Sequence, residues 1–152
     1  MGDKNYQNKF SLRRENRIFA VQCVYMCEIC KRKLSEKDFL DLCKLLDNNP
    51  ENFKFAKEIV DLQFKNLKEI DSLIDRLIAN WRLSRMSVVD LCILREATCE
   101  LLYRDDIPPI VSINEAVELG KIFSGEQSKG FINGVLDRVK NTLSRSLRTA
   151  NI

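Results

Sequence analysis

Three cysteines, at positions 23, 27 and 30, are spaced C-x-x-x-C-x-x-C in the segment CVYMCEIC. This spacing is typical of enzymes that hold an iron–sulfur cluster through thiolates and use it to cleave S-adenosylmethionine. Those enzymes place the motif in a loop of a large α/β barrel, usually with an aromatic residue before the last cysteine. Here Ile29 occupies that position, and the surrounding apolar residues recur with helical period. On a helix Cys23, Cys27 and Cys30 lie within an arc of about 60°, so we expect a buried stripe of core thiols. The other three cysteines, Cys43, Cys92 and Cys99, are expected in the core as well.

The chain of 152 residues contains no histidine. This removes the commonest general base and every Ser/His or Cys/His nucleophilic pair. No metal site and no cofactor are expected, and we predict a protein without enzymatic activity. The N-terminus lacks the apolar core of a signal peptide, and no apolar run is long enough to span a bilayer. We therefore expect a cytosolic protein with reduced thiols and no contact with a membrane.

Positive charge is concentrated at both ends of the chain. Residues 1–33 carry eight Lys or Arg against three acids, and four Lys or Arg without an acid follow Asp137. Since the whole chain has a formal charge of only +3, the segment between these ends is acidic. Basic ends on an acidic body favour an anionic partner, with nucleic acid first among the candidates. The alternative is that these charges only solvate the two termini.

The apolar periodicity predicts an all-α fold, a compact bundle of about seven helices in a single domain over 1–152, with residues 1–10 flexible. Ser35, Ser87 and Ser112 each precede an acidic residue by three positions, which indicates a capping box at the start of a helix. The segment around 88–103 is apolar on most of its circumference, as expected for a central helix. The helices are expected over about 12–30, after Ser35, over 51–66, 68–81, 88–103 and 113–123, and from about Phe131 onwards, with SGEQSKG as a loop.

Two segments resemble the NusB family. LRRENRIFAVQCVY is similar to its opening helix, R-R-x-x-R followed by A-V-Q-x-L-Y. ILREATCELLYRDDIPPIVSINEAVELGKIFSGEQSKGFINGVLDRV is similar to its second half, with the hallmarks I-L-R-x-A-x-x-E-L, D-I-P, I-N-E-A-V-E-L-x-K and K-F-V-N-G-V-L-D. The resemblance covers about residues 11–140 and is strongest over 87–140.

The resemblance implies a compact helical domain that acts in bacterial transcription. NusB-like proteins pair with the small-subunit ribosomal protein that doubles as Nus factor E. Together they hold boxA-type single-stranded RNA from ribosomal or phage transcripts, within the RNA polymerase antitermination complex. We therefore expect an RNA-binding antitermination factor that supports processive transcription of ribosomal RNA.

The arginines of the opening helix are the first RNA-binding candidates. Arg13, Arg14 and Arg17 span about 100° of arc beside the cysteine stripe, where they can reach phosphates. The alternative is that they only solvate the helix start, but the helix dipole prefers acidic residues there.

Lys129 and Phe131 are the second pair of RNA-binding candidates, because the resemblance places RNA at the matching phenylalanine. We expect Phe131 to be partly exposed, so that its ring can stack an unpaired base; the alternative is plain packing. Gln127 and Gly130 depart from the family, whose members often have an acidic residue at the first position and a basic or polar one at the second. Gln127 removes a repulsive charge, and Gly130 removes a candidate contact.

Tyr25, Gln22 and Asp90 are the candidates for binding the protein partner. Tyr25 lies roughly opposite the cysteine stripe, near Gln22, so this face packs either on another helix or on a partner, which we favour. Asp90 also has a local role, since it occupies the third position of a helix that follows Ser87.

A second class of function remains open at this point. NusB-like domains also occur at the front of ribosomal RNA cytosine methyltransferases. The chain has no Gly-rich cofactor loop, so under this alternative it is an RNA-targeting module only.

Overall fold

A computed structural model describes residues 3–46, 49–78 and 86–144, with side chains from Leu12 onward. Within these ranges the structure consists of helices and connecting turns, with no β-strand. The elements are α1 (Asp3–Cys30), α2 (Glu36–Leu45), a 3₁₀ helix (Pro50–Phe53), α3 (Lys54–Leu77), α4 (Val88–Tyr103), α5 (Pro109–Phe123) and α6 (Gln127–Lys140). The all-α prediction is confirmed, with six α-helices in the described residues where about seven were expected. None of the helices within these ranges is long and apolar enough to cross a membrane.

Helix α3 replaces two of the predicted helices. The expected break near residue 67 is a kink, since Asn66 has non-helical angles of φ −119° and ψ 17°. Its side-chain amide donates to the carbonyl of Leu62, 2.9 Å away. The predicted end at Trp81 lies outside the described residues.

Contacts between Cα atoms divide the chain into an N-terminal unit, residues 1–61, and a C-terminal unit, residues 62–152. Helix α3 runs across this boundary. The expectation of one domain over 1–152 stays a prediction.

The N-terminal unit is organised around aromatic packing against α1. The Phe19 ring lies 5.3 Å from that of Phe39 and 4.6 Å from that of Phe53, measured between centroids. Helix α1 starts at Asp3, earlier than the predicted Leu12. The capping box of α2 is confirmed, because Ser35 Oγ accepts from the Asp38 amide and Asp38 accepts from the Ser35 amide. The Arg32 guanidinium, together with these bonds, lowers the pKa of Asp38 well below its usual range.

The C-terminal unit is organised around α4. Residues 90–101 of this helix are all buried, which confirms the predicted central helix. Helices α5 and α6 pack against it and against each other. The closest approach is at Gly120, where an added Cβ would lie 2.6 Å from Ile132 Cδ1, so α5 carries no side chain at this point. The buried Arg95 of α4 is paired, because it donates to both carboxylate oxygens of Asp71, at 2.7 and 2.8 Å.

Two predicted boundaries in the C-terminal unit are wrong. Helix α5 begins at Pro109, so Ser112 lies inside it and forms no capping box with Glu115. Proline suits the first helical position because its φ is preset and its missing N–H is not needed there. The Ser112 hydroxyl instead donates to Glu100 on α4, at 2.9 Å.

Helix α6 begins at Gln127, four residues before the predicted start near Phe131. The predicted loop SGEQSKG is therefore shorter, since only its first three residues precede the helix. Gly125 has φ +94°, a conformation that favours glycine, and its amide donates to the Gly120 carbonyl at 3.0 Å to end α5.

Candidate functional site

Two of the three cysteines in the stripe of α1 are buried. Cys23 and Cys27 lie in the core, as predicted, whereas Cys30 is exposed, so the core prediction is wrong for Cys30. The reason is that α1 ends there: Lys31 adopts φ 56°, and the Arg32 amide donates to the Cys27 carbonyl, 3.3 Å away. The arc calculated for a continuing helix therefore does not apply to its last residue.

The buried thiols are held in their protonated form. Burial, reinforced by the nearby Cys27 and Cys43, raises the pKa of Cys23 to about 12. Burial also raises the pKa of Cys27, Cys43 and Cys99. Because the thiolate is the nucleophile and the metal ligand, these positions are unsuited to either role near neutral pH. Within the described ranges, no group of three or more Cys, Asp or Glu side chains is placed to hold a metal ion. The core prediction for Cys43, Cys92 and Cys99 is confirmed.

The arginines of α1 divide into an exposed pair and a buried member. Arg13 and Arg14 are exposed, whereas Arg17 is only 3% exposed. The guanidinium carbon of Arg13 lies 4.1 Å from the centroid of the Phe55 ring, and that of Arg17 lies 5.2 Å from it. A guanidinium at this distance is attracted to the ring face, so Phe55 helps to position both groups.

Asn16 holds this part of α1 against the beginning of α3. Its side-chain amide donates to the carbonyls of Leu12 and Asn52, each at 2.8 Å. Its side-chain oxygen accepts from the Ala56 amide at 2.9 Å. Asn16 is buried, so these bonds satisfy its polar atoms and set the position of the arginines beside it.

The face of α1 opposite the cysteine stripe is open and partly apolar. Gln22 is exposed, Tyr25 is 39% exposed and Ile29 is 56% exposed. These residues are three and four positions apart, so they follow one another along one face. A groove of about 300 Å³ beside them is lined by Phe19, Gln22, Met26, Leu42, Leu45 and Leu46.

The beginning of α6 presents the second pair of RNA candidates. Lys129 is exposed, and Phe131 is half-buried, in agreement with the partial exposure expected for it. Gly130 lies between them with open space around the position of a Cβ. In this unit, therefore, a cation and part of a ring lie on the first turns of one helix.

Asp90, the third candidate for partner binding, is largely buried at the start of α4. It is 9% exposed, and its carboxylate accepts from Ser124 Oγ at 2.8 Å and from Ser128 Oγ at 3.2 Å. Its backbone amide donates to Ser87 Oγ at 3.1 Å, which confirms the predicted cap of α4. Asp90 thus ties the start of α4 to the turn between α5 and α6 and to the first turn of α6.

Sequence reasoning missed the roles of Asn16 and Phe55. Asn16 lies inside the arginine-rich segment. The only signal of its role was that a polar residue falls on the buried side of the helix. Phe55 falls on the helical stripe of α3 and gives no sign of the arginines above it. The candidates lie in both units: Arg13, Arg14, Arg17, Gln22 and Tyr25 in the first, and Asp90, Lys129 and Phe131 in the second.

The chain is similar to proteins of known family over most of its length. The model of the NusB family matches residues 14–141. The transcription antitermination protein NusB of Acetivibrio thermocellus is 44% identical over 127 residues, covering 84% of this chain and 87% of that protein. The protein of the same name from Myxococcus xanthus is 44% identical over 136 residues, covering 88% and 97%.

Solved structures with the same fold extend this similarity. T. maritima NusB is 33% identical, with a TM-score of 0.74 over 88% of this chain and 93% of that one. A chain from a crystal structure of antitermination factors NusB and NusE in complex with double-stranded RNA superposes with a TM-score of 0.78. It is 23% identical over 88% of this chain and 98% of that one, and at this identity it supports the fold alone.

Proposed function

The chain belongs to the NusB family, and on that premise we propose that it is a transcription antitermination factor. It binds boxA-type single-stranded RNA together with the small-subunit ribosomal protein that acts as Nus factor E. The observation that carries this proposal is the family match over residues 14–141. Two relatives named as transcription antitermination proteins support the proposal, because the match covers 87% of the length of one and 97% of the length of the other.

The RNA surface in the N-terminal unit is the exposed edge of α1. Arg13 and Arg14 are neighbouring cations on a helix whose first residues also include Lys4 and Lys9. The guanidinium group of arginine can donate two parallel hydrogen bonds to a phosphate. Contacts of this kind give affinity but do not read the RNA sequence. Arg17 contributes through its place over Phe55, because its burial leaves little of it for a phosphate.

The RNA surface in the C-terminal unit is the beginning of α6. Lys129 supplies a charge, and the accessible part of the Phe131 ring supplies a face for an unpaired base. Base stacking tolerates any sequence, so sequence preference requires further contacts, including those of the partner.

The partner surface is the open face of α1. Tyr25 and Gln22 lie on it beside an apolar groove, and exposed tyrosine is common at the centres of protein interfaces. Asp90 supports partner binding from α4 by fixing the turn that holds Ser124 and the start of α6.

The proposal includes no catalysed reaction and no cofactor. The protein acts by binding within the RNA polymerase antitermination complex, which places it in the bacterial cytoplasm. The alternative of an RNA-targeting module from a ribosomal RNA cytosine methyltransferase is less favoured, because the match covers most of the length of relatives named as antitermination proteins.

The proposal is tested by measuring binding of boxA RNA to the protein with and without the ribosomal-protein partner, over a series of salt concentrations. We expect weak binding by the protein alone and tighter binding by the pair. Arg14→Ala should weaken binding at low salt. It should also reduce the slope of log K against log salt concentration by about 0.7, the value for one lost phosphate contact on a single strand.

Lys68→Ala is the matched control, because it removes one exposed positive charge from α3, outside the proposed RNA surfaces. Its salt dependence should equal that of the wild type. If Arg14→Ala also has the wild-type slope, Arg14 is not at the interface. If neither the protein nor the pair binds boxA RNA, the proposed function is wrong.

A further inference from the structure

A groove of about 320 Å³ lies in the N-terminal unit, beside the arginines of α1. The helix α1 forms one side of it, and the 3₁₀ helix with the first turns of α3 forms the other. Its lining includes Arg13, Glu51, Asn52, Lys54, Phe55 and Glu58. This volume is at the lower end of the range for small-molecule sites, and is suited to a group of the size of one nucleotide.

Arg13 gives this groove a flat and fixed surface. Its guanidinium lies over the Phe55 ring at 4.1 Å from the ring centroid, and the buried Arg17 covers the same ring. The Phe55 side chain is itself buried, so its position is fixed by the core. The planar group of Arg13 is therefore attracted to a ring whose own position is fixed. Unpaired RNA bases stack on guanidinium planes of this kind.

The remaining groups of the groove favour a base over a phosphate. Glu51 and Glu58 bring two carboxylates, which repel a phosphate and offset the charges of Arg13 and Lys54. Carboxylates accept hydrogen bonds from the amino groups of bases, and the exposed amide of Asn52 can both accept and donate. Cytosine, adenine and guanine carry such an amino group, whereas uracil does not.

We propose that this groove binds one unpaired nucleobase that carries an amino group, stacked on the Arg13 guanidinium. The inference rests on the proposed function, because the base belongs to the RNA held along α1. It adds a base-reading position to a surface that otherwise supplies phosphate contacts. In this arrangement Arg14 contacts the backbone, Arg13 contacts a base, and Phe55 positions Arg13.

The test compares Arg13→Lys with Arg14→Lys, each with the ribosomal-protein partner and boxA RNA. Both variants keep the positive charge, so the salt dependence of binding should match the wild type in both. Lysine lacks the planar group that stacks, so Arg13→Lys should weaken RNA binding by about ten-fold, within the range for one stacked base. Arg14→Lys loses the fork but keeps its charge on the phosphate, so it should weaken RNA binding less than Arg13→Lys does, and by the same factor whichever base is present.

A second arm replaces each base of the RNA in turn with an abasic site. For the wild type, one position should show a loss of about ten-fold, and exchange of that base for uracil should show a smaller loss, because uracil keeps its stacking face but has no amino group. The Arg13→Lys variant should be insensitive at that position only. Thermal unfolding of both lysine variants should match the wild type, because neither side chain is in the core.

Equal losses for the two lysine variants, or sensitivity of Arg13→Lys to the same abasic site, would overturn the inference and leave the proposed function intact. A loss of affinity for the ribosomal protein in place of RNA would assign the groove to protein docking, and would also overturn it. Absence of RNA binding by the wild-type pair would instead refute the proposed function, and the inference with it.

Discussion

Helices α1 and α4 differ in how much of their surface the fold encloses. Residues 90–101 of α4 are buried without interruption, and the charge of Arg95 among them is paired with Asp71 inside the C-terminal unit. Helix α1 is buried along one stripe only, and exposes Arg13 and Arg14 in its first half and Tyr25 with Ile29 in its second half. The comparison indicates that α4 serves the stability of its unit, whereas α1 has exposed surface available for recognition in both of its halves.

The largest expected effect follows from the enclosure of α4. Ile93→Ala removes a fully buried side chain, so the free energy of unfolding should fall by about 2–5 kcal/mol, measured by urea denaturation. Ile29→Ala on the open face of α1 should change it by no more than about 0.5 kcal/mol. Similar losses for the two variants would show that α1 is as enclosed as α4.

The next effect concerns Asp90, which lies on α4 and is hydrogen-bonded to the segment that carries the RNA candidates of α6. Asp90→Ala leaves the Ser124 and Ser128 hydroxyls without their acceptor, and should lower the free energy of unfolding by about 1–3 kcal/mol. RNA affinity of the pair should fall as well, because the first turn of α6 loses its anchor. The measurements are urea denaturation and RNA titration.

The double variant Ser124→Ala with Ser128→Ala is the control for Asp90. If Asp90 acts through the serines, the double variant reproduces both losses and leaves partner affinity close to that of Asp90→Ala. A loss of partner affinity for Asp90→Ala alone, at unchanged stability, would show direct contact with the partner.

How well the sequence predicted each feature depended on how local the interactions are. The caps at Ser35 and Ser87 were predictable, because donor and acceptor are three residues apart. The same pattern at Ser112 was misleading, since Pro109 provides an earlier start for α5. The burial of α4 was predictable from its composition, because a helix that is apolar all round must be enclosed.

The parts of the site that could not be predicted depend on contacts between distant segments. Nothing in the sequence around Phe55 indicates that two arginines of α1 lie over its ring. The two serines that bind Asp90 belong to the turn after α5 and to α6, and no local pattern pairs them with it. The exposure of Arg13, Arg14 and Tyr25 was predictable from their arc on one helix. The same arc was misleading for Arg17, which is buried against Phe55, and for Cys30, where α1 ends.

An effect on RNA without an effect on the fold is expected at Phe131. Its ring is half-buried at the start of α6, so Phe131→Ala should lower the boxA affinity of the pair by about 1–3 kcal/mol through lost stacking. Partner affinity and thermal stability should remain nearly unchanged. Phe131→Tyr keeps a ring and should bind RNA like the wild type. A large loss of stability with unchanged RNA binding would mean that Phe131 is a core residue and that the partner reads the bases.

The smallest effect on stability, and the sharpest distinction within α1, is expected among its cysteines. Cys30 is exposed at the end of the helix, so in the native protein it should react with a thiol reagent at neutral pH while Cys23 and Cys27 react slowly. Burial raises the pKa of Cys23 to about 12 and also raises that of Cys27, which keeps both thiols protonated and unreactive.

Cys30→Ser should abolish the fast reaction and change the free energy of unfolding by less than about 0.5 kcal/mol. Cys27→Ala, one turn earlier, should instead cost about 1 kcal/mol and leave the fast reaction intact, because it removes core volume and not an accessible thiol. Fast reaction of all three cysteines would show that the buried stripe of α1 opens readily, and the contrast between its core side and its recognition faces would then fail.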